Sequence, residues 1–421
     1  MEDPVGTAVR RPWDLPDFRL LWTAGTVSVF GSHVTLLAVQ VLAAVVLQAS
    51  ATQMGLLSAA GVVPYLLMGL IAGVISDRYR RKPMMVGTDA GRALLLCVIP
   101  LLYAVGQLTF PALLIVVAAI GVLSLFFDAS AQAFMPTVVR SPGLLTAATA
   151  RAEQSAAVAQ TAGPLLAGVL IRTVGAPVAF LIDAVSFAVS GLLISRIRVG
   201  ETVRPAAGRR GLWAELREGL AWVYQHRMLA PMALSGHLWF LAHSVLIAVF
   251  VLYQLRGPAD GGLGLNEFQL SVTYAGAGLG AVLGGAAANR CSVRFGPGRT
   301  MVATRVLMPL PWLLVAFAVP GPAGWAMLIA GQFLFWIAMG VEGPNELAYR
   351  QSVTPDRLQG RMNTTIRSLN RGMIVIGAPA GGLLADATSF RTAVWAGIGG
   401  LVLSAAYLAL SPFRHADLPG R

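Results

Sequence analysis

Twelve times along this chain an apolar run of about twenty residues is interrupted by a short charged stretch, and that recurrence limits the possible folds more than any other feature. Crossing ~30 Å of hydrocarbon at 1.5 Å per residue takes about 20 helical residues, and within the bilayer every backbone polar group needs an internal partner. The runs therefore predict membrane-spanning helices. The first ends at about Leu47, and the next five occupy roughly 54–75, 84–105, 109–135, 153–172 and 176–195. Six more follow at about 229–253, 267–289, 301–319, 324–345, 366–386 and 392–411. Of the 421 residues 56% are hydrophobic and 12% charged, a charged fraction about half that of a soluble domain. The expected fold class is an all-α polytopic membrane protein. The first run is too long for the core of a cleavable signal and lacks a small-residue cleavage site, so it is expected to remain as a span anchored by Trp22.

The formal charge of +12 would suggest nucleic acid in a soluble chain, but here the lipid bilayer is the expected partner. If both termini are cytoplasmic, the outward loops fall near 48–53, 105–109, 172–178, 254–266, 320–324 and 386–392. Those six loops hold Arg172, Arg256 and Arg391 out of 31 basic residues, and the opposite orientation would break the positive-inside rule. Cys97 and Cys291 form neither a disulfide framework nor a metal-ligand cluster, and no H-E-x-x-H pattern occurs, so neither a metal nor a cofactor is expected. Lys82 is the single lysine, a bias that suits a high-GC bacterium.

Between residues 196 and 228 the pattern breaks. Arg196, Arg198, Arg204, Arg209, Arg210, Arg217 and Arg227 crowd a segment interrupted by Pro205 and Gly208. This reads as a cytoplasmic linker between a half at 1–195 and a half at 229–421. Leu212, Leu216, Leu220 and Val223 recur at helical spacing within it and predict an amphipathic helix. The halves echo each other. Between the second and third runs the chain reads GVISDRYRRK from Gly73, with Asp77, Arg78, Arg80, Arg81 and Lys82 in six residues. At the matching place in the second half, Gly285 is followed four residues later by Asn289 and then Arg290, as Gly73 is by Asp77 and Arg78.

The spacing G-x-x-x-D-R-x-x-R-K resembles the loop between helices 2 and 3 of the major facilitator superfamily, with Arg80 standing where the family usually has glycine. FFDASAQAFMPTVV from Phe126, TAGPLLAGVL from Thr161, FLIDAVSFAVSGLL from Phe180 and VTPDRLQGRMNTTIRSLNRG from Val353 resemble the branch of enterobactin exporters and macrolide efflux pumps. The resemblance spans essentially the whole chain. It implies twelve helices in two six-helix repeats, a central cavity, alternating access, and a monomer whose export of a small molecule is driven by an ion gradient, most often of protons. It further implies an inner gate in which Asp77 closes the cytoplasmic contact, with Gly73, Arg78, Arg81, Asn289 and Arg290 around it and Asp128 as a partner for the arginines. Gly163, Pro164 and Gly168 resemble the fifth-helix bending motif of drug exporters.

Ionisable groups inside the runs are functional candidates, because each needs a partner or water. Asp183 lies about seven residues into the sixth run with no base near it in sequence; it is either a proton-binding acid or a hydrogen-bonded packing group. Glu342 and Glu346, one helical turn apart, either carry protons at a cavity or pair with a base such as Arg350. His33, His237 and His243 fall on cavity-lining helices of the family; each either titrates or serves as a neutral hydrogen-bonded ring. Asp89 and Arg92, three apart, read as a structural pair. Gly278, Gly280, Gly284 and Gly285 lie inside a run with no preceding strand, so close helix packing explains them better than a dinucleotide site. The leading function is a secondary exporter of an amphipathic small molecule in the bacterial plasma membrane. An importer on the same fold is the alternative, while an enzyme lacks a catalytic constellation to support it.

Overall fold

The computed structural model describes residues 11–201 and 212–416, apart from the side chains at 70–78, 142 and 212–216. Among these residues every regular element is helical. The first half holds α1 (Pro16–Val41), α2 (Ala51–Arg78), α3 (Arg81–Ala104), α4 (Phe110–Val138), α5 (Pro142–Val174) and α6 (Ala176–Ser195). A π-helical stretch, Leu42–Val46, prolongs α1. The linker holds α7 (Leu212–Gln225). The second half holds α8 (Leu229–Leu255), α9 (Glu267–Phe295), α10 (Pro297–Leu307), α11 (Pro309–Ala316), α12 (Pro322–Val353), α13 (Asp356–Ala387) and α14 (Phe390–Leu410). Setting α7 aside and taking α10 with α11, this is the twelve-span, major facilitator architecture.

Local chemistry sets the boundaries. Proline opens α5, α6, α10, α11 and α12, where a missing N–H costs nothing. Asn266 and Gln269 form a reciprocal capping box on α9, and Ser389 Oγ accepts from Thr392 N–H (3.1 Å) at the start of α14. Gly175 (φ 84°) and Gly296 (φ 81°) are one-residue joints between consecutive helices, in a backbone region that glycine enters freely.

Two boundaries differ from the apolar pattern. The eighth span continues as helix through Asn289 and Arg290 to Phe295 and turns at Gly296, because its last two turns are polar but still hydrogen-bonded. The ninth span is two helices, because Pro309 and Pro311 withhold amides from the carbonyls one turn earlier. Ten of the helices are long and apolar enough to span by themselves; the interrupted ninth span and α13, whose first half carries Arg361, Arg367, Asn370 and Arg371, are not among them.

Packing divides the chain into two units. One comprises Met1–Val39 and Leu67–Gly208, the other Gln40–Leu66 and Arg209–Arg421. In the first, α3 lies along α6 and α4, and Phe18, Met85, Phe134 and Ile194 form a buried cluster. In the second, α9 lies along α12 and α8 is flanked by α13 and α14. There α7 buries Val223 in a cluster with Met301, Met362 and Phe413.

Candidate functional site

Lipid is as apolar as a leucine side chain, so polar groups sealed inside a bundle stand out energetically. Among the described residues the buried charged side chains are few. Asp89, Arg92 and Asp183 lie in the first unit, Arg305 and Glu342 in the second.

In the first unit, Arg92 pairs with Asp89 one turn away on α3, and its guanidinium lies between the rings of Phe127 (4.2 Å) and Phe187 (4.1 Å). Asp183, 1% exposed on α6, accepts hydrogen bonds from Thr35 Oγ1 (2.6 Å) on α1 and Ser186 Oγ (2.7 Å) on its own helix. Glycine makes the approach possible, since a Cβ at Gly31 would overlap Asp183 Oδ1 and Ser186 Oγ. Two residues on, His33 fills the notch left by Gly163 on α5, and that helix carries Pro164 without a break and buries Gly168. Gly163, His33 and Asp183 thus meet along one stretch of α1.

The loop expected to form the inner gate is partly described. Helix α2 extends through Gly73, Asp77 and Arg78, whose side chains lie outside the described residues. Beyond it, Glu201 caps α3 with both carboxylate oxygens, accepting from Arg81 N–H (2.6 Å) and Lys82 N–H (2.7 Å). Lys82 Nζ donates to Ile197 O (2.6 Å), and Arg81 Nη1 reaches Thr137 Oγ1 (3.4 Å) on α4; Asp128 is exposed on that same helix. Sequence reasoning passed over Glu201. Its only local signal is an acid just past α6, and nothing in one dimension links it to the start of α3. Asn289 and Arg290 are exposed near the end of α9.

In the second unit Glu342 is 3% exposed and pairs with Arg305, whose Nε lies 2.9 Å from Oε1, while Thr304 Oγ1 donates to Oε2 (3.2 Å). Arg305 Nη1 also donates to Ser235 O (3.2 Å) on α8 and Ser404 Oγ (3.2 Å) on α14. Four spans are therefore tied at one guanidinium. Glu346 instead pairs with Arg350 (3.2 Å) one turn on. His237 bridges two elements: Nδ1 is hydrogen-bonded to Asn370 Oδ1 (2.6 Å) on α13, and Nε2 to the Tyr224 hydroxyl (2.7 Å) of α7. His243 packs against both Trp239 (4.5 Å) and Phe335 (5.1 Å), whose own ring centroids are 6.2 Å apart. Arg305 was not singled out from sequence, although its place twenty residues after Gly285 nearly matches that of Arg92, nineteen after Gly73.

A groove of about 660 Å³ runs between α9, α10, α11 and α12. Phe295, Leu310, Leu314, Leu334 and Ile337 wall it, Arg299 stands in its lining, and Thr304 contributes to it from beside Glu342.

Two repeats of six spans, each with a polar knot sealed inside, define a transporter of the major facilitator type. The chain belongs to the transmembrane secretion effector family, whose model it matches over residues 8–418. It is 26% identical over 387 residues to the multidrug efflux pump Tap of Mycolicibacterium fortuitum, covering 88% of this chain and 90% of that one. Among solved structures it resembles the nucleoside transporter NupG in its D323A form (TM-score 0.77, 13% identity, 93% of this chain and 99% of that). It also resembles a bacterial homologue of the iron transporter ferroportin in the inward-facing state (TM-score 0.76, 15% identity, 95% and 99%). At these identities the structural likeness carries the fold alone.

Proposed function

We propose that this chain exports an amphipathic small molecule from the bacterial cytoplasm by proton antiport, as a monomer with both termini inside, alternating its access between the two sides of the membrane. One observation carries the coupling. Among the described residues the buried charge of the second unit balances, Arg305 against Glu342, whereas the first unit sets two buried carboxylates, Asp89 and Asp183, against the buried guanidinium of Arg92. An ionised carboxylate without a counter-charge in a low-dielectric interior costs several kcal/mol, and a bound proton removes that cost. Asp183 is the acid left over. Thr35 and Ser186 satisfy its oxygens in either state, because a hydroxyl can donate or accept. Full-length similarity to a multidrug efflux pump supports the outward direction. The apolar groove beside α10 and α11, with Arg299 in its lining, supports a ligand that joins an apolar body to a polar group. Within this reading Asp77, Arg78 and Arg81 serve the inner gate, as the loop's resemblance implies.

The test is accumulation of fluorescent amphiphiles, macrolides and siderophores in cells expressing the chain, with and without a protonophore. Expression should lower accumulation of at least one compound, and the protonophore should reverse the effect. Asp183→Asn should abolish the protonophore-sensitive part while leaving the protein in the membrane. Export that ignores both the protonophore and Asp183→Asn would refute the coupling, and increased accumulation would refute the direction.

A further inference from the structure

The stretch joining α1 to α2, together with the first half of α2, packs with the second unit rather than with the remainder of its own helices. A specific set of contacts holds it there. Helix α2 begins at Ala51, so its first amides have no acceptor within the helix. Asp386, one residue before the end of α13, accepts both: Oδ1 from Ala51 N–H (2.9 Å) and Oδ2 from Thr52 N–H (2.8 Å). Its charge also faces the positive end of the dipole of a 28-residue helix. Beneath this cap the helices meet backbone to backbone. A Cβ at Gly382 would overlap the Ala51 carbonyl, and one at Gly55 would overlap that of Ala378. Around it, Arg256 Nη2 donates to Ala49 O (3.1 Å) and Tyr274 O–H to Gln40 Oε1 (3.2 Å).

We propose that Asp386 is a gate residue of the transport cycle, a carboxylate that holds the outer ends of α2 and α13 together and lets go once per turnover. The proposal rests on the alternating-access reading and the orientation given above. Its physical basis is the difference between this contact and the sealed pairs. Parting Arg305 from Glu342 would strand two charges away from water, whereas Asp386 is exposed, so water can take over its bonds the moment they open. The glycine notches add complementarity without side chains that must disentangle. Such a contact is firm when closed and has a low barrier to release.

Hydrogen exchange of the full-length protein in lipid nanodiscs tests this directly. Loss of the cap in Asp386→Ala should speed exchange at 50–56 and 378–387 by roughly two- to thirty-fold, the range for losing a helix cap. Asp386→Asn, which keeps one acceptor oxygen, should give a smaller increase, and Gly382→Leu, which removes the notch, a larger one. A gate also predicts a reciprocal effect at the other end of α13: exchange at 356–366 should slow as the outer end opens. Increased exchange confined to the first turn of α2, or none in any variant, would overturn the assignment. A chain that shows the reciprocal change yet exports none of the tested compounds keeps the gate and loses the export reading, so the two failures are distinguishable.

Discussion

Each unit keeps a buried arginine on its third span, Arg92 on α3 and Arg305 on α10, but the two are housed differently. Arg92 takes its carboxylate from its own helix, lies against two aromatic faces and reaches Ser124 Oγ (3.5 Å) on α4. Arg305 takes its carboxylate from α12 and binds hydroxyls or carbonyls on α8 and α14. Truncating one partner of such a pair leaves an uncompensated charge, so Arg305→Met should cost about 3–5 kcal/mol. Adding Glu342→Leu to it should recover most of that loss, since a well-packed apolar replacement of both partners is often neutral. Thermal unfolding in detergent checks both, and a double variant no better than the single would show that the serine contacts, not the charge, dominate. The same logic makes Asp183→Asn a clean probe. A carboxamide can still accept from Thr35 and donate to Ser186, so folding is preserved while the titratable group is lost.

At the scale of elements, glycine rows decide which helices touch. Along α9, a Cβ at Gly280 would overlap Phe333 O and one at Gly284 would overlap Ile337 O, while Gly340 on α12 leaves room for Ala281 O. The two helices therefore approach closely enough for backbone contact, which is how spans associate without a hydrophobic driving force. Gly284→Leu should destabilise the second unit by about 1–3 kcal/mol and lower its expression, whereas the same change at Gly285, which has open space around it, should be tolerated. Equal losses at the two sites, followed by fluorescence-detected size exclusion, would count against the packing account. The linker helix α7 shows the limits of amphipathic pattern. Its spacing predicted a helix, and the helix is present, but it is clamped to α13 through Glu218 to Arg357 (2.8 Å) and Arg361, and to the joint between α12 and α13 through Trp222 Nε1 to Thr354 Oγ1 (3.3 Å). A hydrophobic face identifies that something is covered, not what covers it.

For the whole molecule, the orientation inferred from basic residues has a direct consequence. A cysteine at Ala259, exposed between α8 and α9, should react with a membrane-impermeant maleimide in intact cells, and one at Gln351, exposed near the end of α12, only after permeabilisation. The reverse pattern would invert the topology.

By itself the sequence determined that this chain crosses the membrane in twelve apolar runs with a basic stretch repeated between the second and third of each half, and its resemblance to a family implied a transporter. Run length and charge placement are one-dimensional consequences of bilayer thickness and of the cost of charge in hydrocarbon. It also marked Asp183 and Glu342, because an acid in an apolar run is visible without a fold. Only the tertiary structure decided what those acids meet: hydroxyls of α1 and α6 for Asp183, an arginine thirty-seven residues away for Glu342. It alone joined Glu201 to the start of α3 and Asp386 to the start of α2, the latter across more than three hundred residues. A cap is made wherever an acceptor comes within about 3 Å of free amides, and that proximity depends on how helices pack, not on how far apart their residues lie in the chain.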